Sequence, residues 1–118
     1  MHEVAIVDAL IEQVGDEVRR AGASGRVMRI ELSIGRLSGV NADSIRFALQ
    51  WLAPGTVVES ARLDIRQPAL SCLCAACGAR SEVDALDALC PRCASREVTF
   101  DGGRELVLES IELEDPTP

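Results

Sequence analysis

Through the first twenty positions, apolar residues recur at three- and four-residue steps: Val4, Val7, Leu10, Ile11, Val14 and Val18. That stripe predicts a helix from about Glu3 to Ala21, stopped by Gly22 and Gly25 on either side of Ser24. The period then changes to two. Met28, Ile30, Leu32 and Ile34 alternate with Arg29, Glu31 and Ser33, which predicts a half-buried strand over Arg26 to Ile34. A loop from Gly35 to Val40 follows, and Asn41 can cap a second helix whose face carries Ile45, Ala48, Leu49 and Leu52 before Pro54-Gly55 ends it. A second strand is expected with Val57, Ala61, Leu63 and Ile65 inward and Arg62, Asp64 and Arg66 outward, closed by Pro68. From Arg104 to Leu113 a last strand changes parity between Leu106/Leu108 and Ile111/Leu113, so a bulge is expected near Glu109-Ser110.

Residues 69 to 103 break this rhythm with cysteines, small residues and turn formers, and have little apolar content of their own. A lone strand after them must pair with a sheet, so the last strand is expected to return to the two strands that precede the cysteine segment. The expected fold class is therefore α+β: a small three-stranded mixed sheet with two helices on one face, plus an inserted zinc-ribbon module. The main domain comprises residues 1–68 and 104–118, and the insertion residues 69–103. The pattern leaves the strand order open.

The insertion contains Cys74-Ala75-Ala76-Cys77-Gly78 and Cys90-Pro91-Arg92-Cys93, two CxxC motifs twelve residues apart. A two-residue gap lets both sulfurs of a turn approach one ion, and four thiolates in a tetrahedron suit Zn2+ at about 2.3 Å. Iron of the rubredoxin kind shares that preference, whereas six-coordinate nickel or magnesium does not. With four ligand positions filled, such a metal is structural, and its binding would contribute on the order of 10 kcal/mol to ordering the segment. Gly78 suits the tight backbone after a second cysteine, while Ala94 does not. Arg80, Arg92 and Arg96 are at hand to offset the negative cluster. Two disulfides would leave one of the five cysteines unpaired, and a thioredoxin-type pair should open a helix after a strand, which neither motif does in this reading. Cys72 falls outside the paired spacing and is expected to be a bystander.

Charge and composition narrow the function. The formal net charge is −7, no run of basic residues exceeds Arg19-Arg20, and two Phe, one Trp and no Tyr provide no stacking platform, all of which argues against nucleic-acid binding. Glu3 and Asp8 interrupt the apolar start that a signal peptide would need, and no apolar stretch is long enough to span a bilayer, so a cytoplasmic protein without a membrane role is expected. Arg36 and Arg46 are read as solvated surface. No Ser/His/Asp set, phosphate-cradling glycine loop or spare histidine base is present, so an enzyme is not expected.

The one histidine is His2. The amine of Met1 and the amide and imidazole nitrogens of His2 can close consecutive chelate rings around one ion, with Glu3 able to complete a square. Tetragonal nitrogen sites suit Ni2+ and Cu2+. The plainer reading is a solvated histidine at a frayed start.

Taken in order, the Met1-His2-Glu3 start, the strand and loop from Glu31 to Val40 (ELSIGRLSGV), the Arg46-Phe47 helix ending before Pro54-Gly55-Thr56, the paired CxxC motifs and the closing Ser110-Ile111-Glu112 resemble the HypA/HybF family of nickel-insertion proteins. The resemblance spans nearly the whole chain. It implies a nickel metallochaperone that binds Ni2+ at His2, the Met1 amine and Glu3, and holds structural Zn2+ on Cys74, Cys77, Cys90 and Cys93. It further implies work with the hydrogenase-maturation GTPase HypB and nickel insertion into the large subunit of NiFe hydrogenase, with urease maturation proteins as further partners. Family members with histidines beside the zinc cysteines differ from this sequence, which has none there. The competing reading is a zinc-ribbon protein-protein interaction module without metal transfer.

Overall fold

The computed structural model describes residues 2–22, 25–84 and 89–114. They form α1 (His2–Arg20), β1 (Val27–Ile34), α2 (Ala42–Leu52), β2 (Arg62–Arg66), β3 (Leu70–Cys74), β4 (Arg80–Val83), β5 (Val98–Asp101) and β6 (Leu106–Leu113). Pairing divides the strands into two sheets, ordered β2-β1-β6 and β4-β3-β5. In the first, β1 runs parallel to β2 and antiparallel to β6, a mixed sheet whose parallel pair is connected through α2. The strand that follows the cysteine segment thus returns to the sheet begun before it, and the fold class is α+β as expected.

The core lies where the two helices meet the first sheet. Val7, Leu10, Val14 and Val18 of α1, and Ile45, Ala48 and Leu49 of α2, pack in one cluster with Val27, Ile30, Leu32 and Ile34 of β1. These positions are buried because one helical stripe and one strand face are apolar. Gly22, at φ +68°, closes α1, its amide donating to the Arg19 carbonyl at 3.0 Å. The Asn41 side chain accepts from the Ser44 amide at 2.9 Å and starts α2.

Two details correct the sequence reading. Met28, expected inward, is exposed, and Val27 is fully buried in its place, because the β1–β6 register shifts between Val27 and Arg29. The second strand is shorter than expected: residues 56–60 form turns, and β2 begins at Arg62. The Thr56 hydroxyl donates to the Ala53 carbonyl (2.6 Å) and accepts from the Val58 amide (3.2 Å), which directs Val58 rather than Val57 deepest into the core. The parity change in the last strand does mark a bulge: Glu31 faces Ser110 and Leu32 faces Leu108, leaving Glu109 as the extra residue.

Neither arginine read as solvated surface is idle. Arg46 donates to the Leu63 carbonyl of β2 at 2.9 Å, and Arg36 donates to the Gln67 carbonyl at 3.0 Å. On the outer face of the first sheet, Arg29 bonds Asp64 of β2 and Glu31 and lies 3.9 Å from Glu112 of β6, so one guanidinium spans all three strands. Hydrogen bonds first from Arg29 and then from Arg62 hold the Asp64 carboxyl below its ordinary range.

The two sheets meet through backbone. The Gly35 amide donates to the Glu105 carbonyl at 2.7 Å, and the Leu37 amide to the Gly103 carbonyl at 2.5 Å. A Cβ on Gly35 would lie 2.2 Å from the Gly103 carbonyl oxygen, and one on Gly103, at φ +85°, would lie 2.2 Å from Cδ2 of Leu70. The molecule is elongated, 59 × 33 × 18 Å, with a radius of gyration of 18.3 Å against the ~13.5 Å typical of a compact chain of this length.

Gly35→Ala should therefore lose on the order of 1–3 kcal/mol in chemical denaturation, because the neighbour that must move is backbone. Gly15→Ala, inside α1 with only the flexible Arg19 guanidinium at 3.4 Å, should instead gain about 0.5–1 kcal/mol. The opposite signs are the check on the close approach at the junction.

Candidate metal centre

Strand β3 ends on Cys74, and the chain turns back at once so that Cys77 faces the same point; the loop before β5 repeats the manoeuvre with Cys90 and Cys93. The two turns match in their main-chain hydrogen bonds. The Cys74 amide donates to the Ala79 carbonyl (3.0 Å) and the Cys90 amide to the Ser95 carbonyl (2.8 Å). The Gly78 amide reaches back to the Cys74 carbonyl and the Ala94 amide to the Cys90 carbonyl, both at 2.9 Å. Within the turns, the Cys77 amide points at the Cys74 sulfur (3.4 Å) and the Arg92 amide at the Cys90 sulfur (3.3 Å).

Both turns need a left-handed residue after the second cysteine. Gly78 supplies it at φ +75°. Ala94, which the sequence reading judged unsuited, adopts φ +62° nonetheless. The hydrogen bonds of the turn impose the conformation against the preference of an L residue.

Consequently Cys74, Cys77, Cys90 and Cys93 converge, with all four Sγ atoms within 4.8 Å of one another. The Cys74–Cys93 and Cys77–Cys90 sulfur pairs lie 3.6 and 3.7 Å apart. A regular tetrahedron with metal–sulfur bonds of 2.3 Å requires sulfurs about 3.8 Å apart, so the donor set fits a four-coordinate ion of the zinc type. It is a closed set, with no fourth position for water or substrate. Cys74 and Cys90 are buried while Cys77 and Cys93 are exposed, so the cluster sits at the edge of the small sheet.

Four thiols this close cannot all ionise unaided. The Cys77 amide stabilises the Cys74 thiolate and brings that group down to about 7. The Cys93 and Arg92 amides lower Cys90 in the same way. Cys93 accepts from the Ser95 amide, yet its neighbours Cys74, Cys77 and Cys90 outweigh that bond and push it up to about 12. The backbone has thus prepared some of the charge, and a dication must supply the rest.

Cys72 lies on the same face of β3 as Leu70 and Cys74 but outside the cluster. It is 1% exposed, and burial pushes its thiol up. Of the arginines expected near the cluster, Arg92 contributes its backbone amide, while the Arg80 side chain lies 3.9 Å from Asp101 across the sheet. Met1 and the side chain of His2 lie outside the described residues. The backbone of His2 opens α1, and Glu3 stands in the first turn. The metal-ligand candidates therefore remain at two separate places in the chain.

One feature escaped the sequence reading. Phe47 and Trp51, one turn apart on α2, are 62% and 73% exposed, with ring centroids 6.2 Å apart, beside Glu3. The i, i+4 aromatic spacing next to the apolar stripe was the available signal.

Because every thiol must shed its proton to bind metal, zinc affinity should weaken on acidification, with a steeper dependence once pH falls through about 7, where Cys74 takes up its proton. Competition with a chelator across pH 5.5 to 8.5 measures it; a flat profile would exclude the four-thiolate site. Ala94→Gly should relieve the left-handed strain and gain about 1 kcal/mol or slightly less, read as slower zinc loss to the chelator.

Comparison with known proteins places this geometry in context. A family model described as "Hydrogenase/urease nickel incorporation, metallochaperone, hypA" matches residues 1–113. The chain is 41% identical to the hydrogenase maturation factor HypA of Chlorobium limicola over 115 residues, 98% of each protein. It is 37% identical to the corresponding factor of Aquifex aeolicus, covering 97% of this chain and 98% of that one. The solution structure of a HypA protein superposes with a TM-score of 0.67 at 26% identity, covering 97% of both chains. That of the Ni metallochaperone HypA from Helicobacter pylori superposes with 0.63 at 24% identity, covering 94% of this chain and 96% of that one, a likeness of fold. Family match, whole-length relatives and a four-cysteine site of the zinc type agree: the chain belongs to the HypA family of hydrogenase/urease nickel-incorporation metallochaperones.

Proposed function

We propose that this chain binds Ni2+ at its N-terminus and hands it to the large subunit of NiFe hydrogenase during maturation, while a structural Zn2+ stays on Cys74, Cys77, Cys90 and Cys93. The observation that carries the reading is the Met-His-Glu start, set at the head of α1 in a chain of this family. The first amides of a helix have no intrahelical acceptor, so the His2 amide nitrogen is free to serve as a ligand. The amine of Met1, that amide and the His2 imidazole supply three nitrogens, with Glu3 as the fourth donor. The positive end of the helix dipole opposes a bound cation, and the deprotonated amide and the Glu3 carboxylate offset it. The balance suits cargo that must leave.

We assign the nickel function to residues 1–68 with 104–118 and the zinc function to residues 69–103. The separate sheets and the elongated shape support that division. The protein acts as a carrier and not an enzyme, in the cytoplasm, where its targets are assembled. Its partners are the maturation GTPase HypB and the hydrogenase large subunit, with urease maturation proteins as a further route. Neither nucleic acid nor membrane enters the reading: the chain is acidic, and among the described residues no helix is long and apolar enough to cross a bilayer.

Titration of untagged, zinc-loaded protein with nickel should give one nitrogen-rich site by absorption and calorimetry. His2→Ala, and a chain lengthened by residues before Met1, should each lose that site and keep zinc. Nickel binding that survives both changes in folded protein would rule out the N-terminal chelate and leave a zinc-ribbon interaction module.

A further inference from the structure

The first turn of α1 and the length of α2 line one cavity of about 540 Å3, formed by Glu3, Val4, Asp43, Phe47, Trp51 and Leu52 among others. Its wall is mainly apolar, and its rim carries two carboxylates and no Lys or Arg among the described residues. Phe47 and Trp51 stand over it in a tilted pair, rings inclined at 60°. Elsewhere α2 buries Ile45, Ala48 and Leu49, so this pair is the part of the helix not used by the fold. Large aromatic residues left in water beside a cavity mark an interaction surface rather than a folding requirement.

We propose that this aromatic-acidic face of α2 docks a segment of a partner protein that presents an apolar side chain beside Lys or Arg. The apolar group fills the cavity. The cation lies against the carboxylates of Glu3 and Asp43 and the face of Trp51, where an indole ring attracts positive charge. A second copy of this chain fits poorly, because a two-fold contact would bring Glu3 and Asp43 against their own likenesses as water is expelled. An anionic membrane is repelled by the same rim and by a chain of net charge −7. Because Glu3 belongs both to this rim and to the proposed nickel site, the docked segment would arrive beside the cargo; in that respect the inference rests on the delivery reading, but the docking itself does not.

Trp51 is the only tryptophan, so its emission reports the surface directly. The probe is a helical peptide with a leucine face flanked by lysines, added to full-length, zinc-loaded, nickel-free protein, with a glutamate-for-lysine peptide as control. A saturable blue shift with the lysine peptide is expected. Phe47→Ala, at a mostly exposed position that the fold tolerates, should weaken it about tenfold, and Asp43→Lys should reverse the preference toward the glutamate peptide. No shift, equal response to both peptides, or no effect of either substitution would overturn the proposal. So would concentration-dependent dimerisation lost in Phe47→Ala, or partition of Trp51 into phosphatidylglycerol vesicles. Since nickel is absent, failure of the N-terminal chelate would leave this result intact, and failure here would leave the chelate intact.

Discussion

Everything in the cysteine segment depends on one electrostatic constraint: four sulfurs within 4.8 Å of one another, which cannot all carry charge without a cation between them. The small sheet has strands of four or five residues, and among the described residues its buried side chains are Leu70, Cys72 and Cys74, joined by Cys90 of the second turn. A core that small does not order a sheet. The amides of the two turns meet part of the cost in advance by aiming at Cys74 and Cys90. A dication completes the balance, and its binding energy is then the folding energy of the segment.

That module is held to the rest of the chain by main-chain hydrogen bonds in a space too narrow for side chains. Strand β3 spans the distance: Leu70 at its start touches Gly103 of the junction, and Cys74 at its end is a member of the cluster. Across the junction, Gly35 and Leu37 follow directly on β1, the central strand of the other sheet. Two glycines in contact allow backbone to approach backbone, and the bonds from Gly35 and Leu37 fix direction as well as distance. Orientation of the small sheet is therefore set by hydrogen-bond geometry, with the Arg36 guanidinium, 3.7 Å from the carboxylate of Asp84 just after β4, as a third tie.

The sequence was legible where periodicity and spacing carry the physics. Both helices, the central strand, the return of the last strand and its bulge at Glu109 follow from apolar periods and parity. The sulfur cluster follows from two CxxC motifs at compatible spacing. The misses share a cause. Val27 for Met28, and Val58 for Val57, are one-residue displacements produced by a register shift and by a Thr56 turn, and a single extra residue reverses which side chain faces inward. At Ala94 the local preference of an L residue points the wrong way, because the hydrogen bonds of the turn override it. The junction glycines were unreadable since close backbone approach leaves no hydrophobic signature.

A carrier has to reconcile two opposite demands on metal binding, and the layout of this chain separates them. A closed tetrahedron of thiolates exchanges its ion slowly because no incoming ligand finds an open position, and two of its four sulfurs are buried. On the proposed reading, cargo binds instead at the start of a helix, where the donors are terminal, the dipole opposes the charge and one coordination position can be taken by a recipient. Such a site is weak by construction and needs the recipient close at hand. On the proposed docking, the exposed Phe47 and Trp51 beside Glu3 meet that need at positions the fold leaves mostly in water. Aromatic area left in water lowers solubility, and its position next to the proposed nickel site, rather than beside the zinc cluster, is what the proposed transfer step would require.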